Sequence, residues 1–234
     1  MFAVFKRDLR AFYTTPIGYV FSGILILFMN LCFYFMNVSR SASDVKPLFY
    51  LLLIALAFLA PILTMRLISE EKKLKTDQLL FTVPIRVTDI VIGKYLAALA
   101  VFVLSLIGTF LIPMILSYYS VAESWAIFGN YVAIFFAASA FIAIGLFISS
   151  LTENQLVAAI LTWAVLIGLW LVSALATSSE ITIVRVLVSW ISVFDRYSSF
   201  SYGLFDISDI LYYVSVSVIF IFLTVRTLDK KRYA

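Results

Sequence analysis

Six apolar stretches, at residues 17–37, 48–65, 95–118, 128–151, 156–176 and 209–225, constrain this chain more than any motif in it. Each holds about 17 to 25 residues, enough at about 1.5 Å of rise per residue to cross a hydrocarbon core of about 30 Å. The chain is 64% hydrophobic with a mean hydropathy of +1.09. A soluble domain of 234 residues could not hide that much apolar surface. The expectation is an all-α integral membrane protein with six transmembrane helices.

Charge sets the orientation. An even number of crossings returns both termini to one side, and on that side lie Lys6, Arg7, Arg10, Arg66, Lys72, Lys73, Lys75, Arg86, Lys94, Arg226, Lys230, Lys231 and Arg232, 13 of the 17 basic residues. Only Arg40, Lys46, Arg185 and Arg196 fall on the other side. The positive-inside rule therefore predicts cytoplasmic termini and a cytoplasmic loop over 66–94. The net charge of +4 follows from the same bias, so it reads as topological and not as a nucleic-acid-binding signal.

The apolar run after Pro16 is too long for a cleavable signal and leads into a charged loop, so the N-terminus is expected to stay in the mature protein. On a helical wheel Phe2, Phe5, Leu9, Phe12 and Tyr13 share one face, and Lys6, Arg7 and Arg10 lie on another. That pattern fits an amphipathic helix lying in the headgroup plane, in contact with membrane lipid. It also fits a basic tail that merely orients the first span.

Several chemistries are excluded. One cysteine, Cys32, permits no intramolecular disulfide and no cysteine metal site, and histidine is absent. Ser-His and Cys-His dyads and His-ligated zinc or haem are thereby removed. The spans carry no interior carboxylate or ammonium by this reading, charged residues falling at their ends. Polar residues such as Asn30, Thr64, Ser105, Thr109, Ser139, Thr162 and Ser173 are expected to join helices by hydrogen bonds. No G-x-x-x-x-G-K-[ST] loop is present, so the chain itself holds no nucleotide cofactor.

Two stretches admit more than one reading. From Glu70 to Pro84 a charged turn, Glu70-Glu71-Lys72-Lys73, runs into Thr76-Asp77-Gln78-Leu79-Leu80-Phe81, a short helix-compatible segment that stops before the proline. It is either an ordinary solvated loop or, given the apolar area of Leu74, Leu79, Leu80 and Phe81, an element apposed to the membrane or docked into a partner. Residues 181–194 are apolar except for Thr182, Arg185, Ser189 and Ser192, too short to span, and suit an external re-entrant or interfacial helix pair before the last span. A seventh crossing is the alternative, and it would move Lys230, Lys231 and Arg232 outside.

The ordered combination carries a family resemblance. An amphipathic N-terminal segment, two spans, a Glu-rich loop with Thr-Asp-Gln-Leu-Leu-Phe-Thr-Val-Pro at 76–84 and Asp-Ile-Val-Ile-Gly-Lys-Tyr-Leu-Ala at 89–97 resemble the permease subunit of type-2 ABC exporters. Ser-Ser-Leu-Thr-Glu-Asn-Gln at 149–155, and the run from Phe194-Asp195-Arg196 through Phe200, Gly203, Asp206 and Asp209 to Tyr212, look like the permease of the gliding-motility-associated ABC transporter. General exporters usually show Gly-Thr where this chain has Lys75-Thr76. The resemblance implies a single permease domain over 1–234, paired with a second permease half, the same chain or another, in a bacterial inner membrane. It implies ABC ATPase subunits that carry the ATP and magnesium, and in the gliding-type group a second membrane subunit with a large external domain. The matching short helix would be the coupling helix, seating Glu70, Glu71, Lys72, Lys73, Thr76, Asp77, Leu79, Leu80 and Phe81 on the ATPase. The competing classes are a six-span channel or carrier not driven by ATP, and a polytopic membrane enzyme.

Overall fold

The corner between the first two helices shows how the local sequence shapes the molecule. Helix α1 (Phe2–Thr14) ends at Thr15, which is extended at φ −99° and ψ 157°, as the residue before a proline must be. Pro16 then opens α2 (Pro16–Phe33) at a position where its missing N–H costs nothing. Gly18 makes the corner tight: a Cβ there would stand 2.7 Å from the Phe12 carbonyl oxygen.

The computed structural model describes residues 1–39, 44–76, 86–112, 124–178, 192–194, 196–197, 200 and 206–232. A π-helical turn, Tyr34–Val38, extends α2. There follow α3 (Lys46–Thr64), α4 (Ser69–Lys73), α5 (Val87–Gly108), α6 (Ser124–Leu151), α7 (Gln155–Ser178) and α8 (Ile207–Arg232). Six helices are long and apolar enough to cross a membrane, over Pro16–Val38, Lys46–Lys73, Val87–Gly108, Ile127–Leu151, Gln155–Leu175 and Ile207–Lys230.

Burial separates an inner layer from an outer one. The apolar windows of α6, α3 and α5 are 78%, 61% and 56% buried, against 22% to 28% for α2, α7 and α8. Helix α6 packs against α3, α5, α7 and α8. Its Ala133, Ala137, Ala138, Ala140 and Ala143 are fully or almost fully buried, and such small side chains let neighbouring backbones approach closely where dispersion, not water exclusion, holds helices together. Gly145 marks the tightest approach, because a Cβ would run into the buried side chain of Thr64 on α3. The outer helices instead present side chains such as Leu156, Leu175 and Ile207 outward.

The third span differs from its expected limits. Sequence reading starts it at residue 95, whereas the helix begins at Val87, immediately after an extended Arg86. Gly93 and Lys94 are therefore helical, and Lys94 is only 3% exposed. Lys94 thus stands near one end of this span, and its burial depends on partners distant in sequence.

The intramembrane polar residues divide into two kinds. Ser105 bonds to Ser22 on α2 at 2.6 Å, Ser139 to Ser217 on α8 at 3.2 Å, and Thr109 to the Tyr131 hydroxyl at 3.2 Å, all between helices. Asn30, Thr64 and Thr162 bond back to carbonyls one turn earlier on their own helices. Helix α1 packs on α5 and α2. Of its apolar face, Phe12 is buried, Phe5, Leu9 and Tyr13 are partly covered, and Phe2 stands out at 73% exposure. Of residues 181–194, only 192–194 lie among the described residues, and all three are buried.

Candidate functional site

Three helices and a turn meet at one end of the bundle around the Lys94 ammonium. Lys94 stands on the second turn of α5 and would be costly to bury alone. Its three donors are met: Asp8 Oδ2 on α1 at 3.1 Å, Glu71 Oε1 on α4 at 2.8 Å, and the Leu67 carbonyl at 2.7 Å. Arg7 completes the group, reaching Glu71 Oε1 at 2.6 Å and Asp8 Oδ1 at 2.7 Å. Burial alone would lower the Arg7 pKa, but its hydrogen bonds and charge interactions with Asp8 and Glu71 outweigh that and raise it. Two carboxylates and two cations thus balance, and α1, α4 and α5 are tied through shared atoms. Beside them Arg66 grips both oxygens of Glu70, at 2.5 and 2.7 Å, a paired geometry that fixes direction as well as distance.

Helix α4 is also seated on α6. Its N-cap residue, Ile68, has no capping side chain, so the backbone N–H groups of Ile68 and Ser69 would be orphaned. Both donate to the hydroxyl of Ser149, each at 3.2 Å. The buried Lys72 ammonium donates to the Ser150 carbonyl. The far end of α4 closes with the Lys75 N–H on the Lys72 carbonyl at 3.1 Å and the Thr76 N–H on the Glu71 carbonyl at 2.9 Å. That is the Schellman pattern, which needs a left-handed residue at its centre, and Lys75 supplies it with φ +54°.

Between these elements lies a cavity of about 260 Å³, walled by Arg7, Asp8, Arg66, Glu70, Glu71 and Lys94 together with apolar Phe12, Leu67 and Leu74. The other sequence-singled cluster, at the opposite end of α8, is a peg for the segment before it. Arg196 pairs with Asp209 at 2.9 Å and lies 4.4 Å over the Tyr212 ring. The buried Tyr213 hydroxyl donates to the Val193 carbonyl at 2.7 Å, and Tyr197 donates to Asn130 on α6.

The residues expected to meet a partner are therefore dispersed in their roles. Glu70, Glu71 and Lys72 are engaged within the chain, while Lys73 and Thr76 are exposed. Asp77, Leu79, Leu80 and Phe81 lie outside the described residues. Sequence reasoning missed Arg7, Asp8, Arg66, Lys94 and Ser149 as parts of one site. Only the Arg66–Glu70 spacing of four residues carried a local signal.

A search of curated proteins finds no match to the chain. Against protein-family models, residues 2–228 match the family described as ABC-2 family transporter protein.

Proposed function

The chain belongs to the ABC-2 family of transporter proteins, the membrane-spanning permeases that partner with an ABC ATPase and dimerise, and from that premise we propose that it is one permease half of an ATP-driven exporter whose ATPase docks on the 70–84 loop. In this reading the whole of 1–234 is one permease domain of a bacterial inner membrane, with both termini in the cytoplasm. ATP and magnesium reside on the ATPase. Closure of the ATPase pair pushes on Glu70, Glu71, Lys72, Lys73, Thr76, Asp77, Leu79, Leu80 and Phe81, and the spans rock against those of the second half, the pathway lying between them.

One observation carries the reading: α4, the start of that loop, is fastened to three other helices at once. Glu71 holds Arg7 of α1 and Lys94 of α5, and the Ser149 and Ser150 groups of α6 hold Ile68, Ser69 and Lys72. A displacement of α4 is thus passed on by contacts that must break or move together. A chain without a phosphate-cradling loop can respond to ATP only through differential contact with a protein whose states differ. The charged residues of α4 then act mainly inward, as the linkage, and the apolar Leu79, Leu80 and Phe81 act outward, as the anchor, since buried apolar groups carry more binding energy than rim charges.

The finer assignments follow the same premise. Helix α1 lies along the cytoplasmic interface and residues 181–194 form an external re-entrant pair. The gliding-type motifs support a relative of the gliding-motility permease, with an accessory membrane subunit bearing an external domain. Affinity purification of the tagged chain from its native membrane tests the proposal. An ABC ATPase should copurify in stoichiometric amount, and its hydrolysis should fall when the permease is removed. A preparation that transports with no ATPase present would contradict it.

A further inference from the structure

The outer flank of α1 and α5 carries a groove distinct from the ion-pair cluster. It has a volume of about 390 Å³ and is lined by Phe2 and Phe5 of α1 and by Leu96, Leu99, Ala100 and Val103 of α5, with Met1 at one end. Every lining side chain is apolar, and Phe2 is 73% exposed at its rim. The floor belongs to a helix that continues outward through Leu104 and Ile107, 50% and 62% exposed, so the groove opens on the same flank as the apolar span surface. One and two turns along α1 from Phe2 stand Lys6 and Arg10, both exposed, stacked at a spacing of four residues. Arg7, Arg66 and Lys94, the cations of the ion-pair cluster, are spent on carboxylates of this chain. Among the described residues Lys6 and Arg10 take part in no ion pair, and on α1, which forms one wall of the groove, they are the basic side chains left to meet an anion from outside.

We infer that this groove holds an acyl chain of an anionic phospholipid, with the headgroup phosphate against Lys6 and Arg10. The inference rests on the interfacial placement of α1 proposed above. An aqueous ligand has no reason to enter an all-apolar groove on the flank of a span, and a neutral lipid would leave the paired cations unused. The bound lipid would then brace α1 against α5 on the side opposite the Asp8–Lys94 bond, so that the position of α1 depends on the anionic content of the leaflet.

The test uses the whole chain in nanodiscs of phosphatidylcholine containing a trace of phosphatidylglycerol or of phosphatidylcholine with a diazirine on the acyl chain. Cross-linked peptides are read by mass spectrometry. Two basic residues near an anionic headgroup should favour phosphatidylglycerol on the order of tenfold in peptides covering Phe2–Lys6 and Leu96–Val103. Lys6→Gln with Arg10→Gln should abolish that preference while leaving phosphatidylcholine labelling unchanged, and Leu99→Trp, which fills the groove, should reduce labelling there by both lipids. Equal labelling by the two lipids, indifference to Leu99→Trp, or cross-links from the groove to a second copy of the chain would each overturn the proposal. A bimane on Ala3→Cys in a Cys32→Ala background separates this from the premise. Quenching by brominated lipid together with equal labelling defeats the lipid site alone, whereas absence of quenching defeats the interfacial placement of α1.

Discussion

Lys94 concentrates a large cost of charge burial in a single position, and that makes it the most informative residue to change. With 3% exposure it faces Asp8 and Glu71, whose side chains are 12% and 19% exposed. Replacing it as Lys94→Met leaves two carboxylates converging with only Arg7 to hold them, and breaking a buried pair from one side costs about 3 kcal/mol or more. The variant should unfold at lower temperature in detergent than the parent, and adding Glu71→Gln should recover part of the loss. Unfolding at the parent's temperature would show that the cluster does not hold α1, α4 and α5 together. Lys75 offers a change in the opposite direction. Its φ of +54° is strained for a residue with a Cβ, and glycine adopts it freely. Lys75→Gly should stabilise the fold by about 1 kcal/mol, measured as a raised unfolding midpoint, because the two closing hydrogen bonds of α4 are made by backbone groups.

At the scale of elements, the capping of α4 by another helix sets its stability. Ser149→Ala leaves the Ile68 and Ser69 N–H groups without their shared acceptor, a loss of about 1 kcal/mol for a helix cap. Amide exchange should quicken at residues 68–73 and stay unchanged in the middle of α6. Uniform protection in the variant would mean that α4 is held by its ion pairs alone. This element also shows where sequence stopped being readable. The spans could be read because length and apolarity are properties of contiguous residues, and the candidate spans Pro16–Val38, Ile127–Leu151 and Gln155–Leu175 begin and end within two residues of their expected limits. The burial of Lys94 could not, because a lysine between apolar residues looks like the end of a span until its carboxylates are known, and Asp8 lies 86 residues away. Ser149 was visible as part of a motif but not as a cap, since nothing local in Ser149-Ser150 points to Ile68. The inward roles of Glu71 and Lys72 are hidden for the same reason: their partners Arg7, Lys94 and Ser150 come from other parts of the chain.

Taken whole, the molecule is an inner layer of α3, α5 and α6 with α2, α7 and α8 around it, and the outer helices leave most of their apolar windows uncovered. That distribution suits a body surrounded by lipid and by a second permease half. By the positive-inside rule the 13-to-4 division of basic residues predicts that both termini and the 66–94 loop face the cytoplasm. In a Cys32→Ala background, single replacements Ser43→Cys, Ser124→Cys and Ser178→Cys should react with an impermeant thiol reagent in intact cells, and Thr76→Cys and Thr152→Cys should not. Labelling of the Thr76 position from outside would reverse the orientation and detach the 70–84 loop from any cytoplasmic ATPase.

The central claim is that this loop receives force from the ATPase through an apolar anchor and passes it inward through α4. The direct measurement is a detergent pull-down of the ATPase with the paired variant Leu79→Asp and Leu80→Asp, its membrane level matched to the parent by blot. Both positions lie outside the spans, so insertion should be unaffected, while two buried carboxylates in an apolar groove should cost several kcal/mol and release the ATPase. Lys73→Glu, at an exposed charge of α4, should weaken association less and in a salt-dependent way, as exposed charges are screened. The account predicts loss of the ATPase and of transport in the paired variant with normal membrane levels; retention of the ATPase with normal stimulation of its hydrolysis would contradict it.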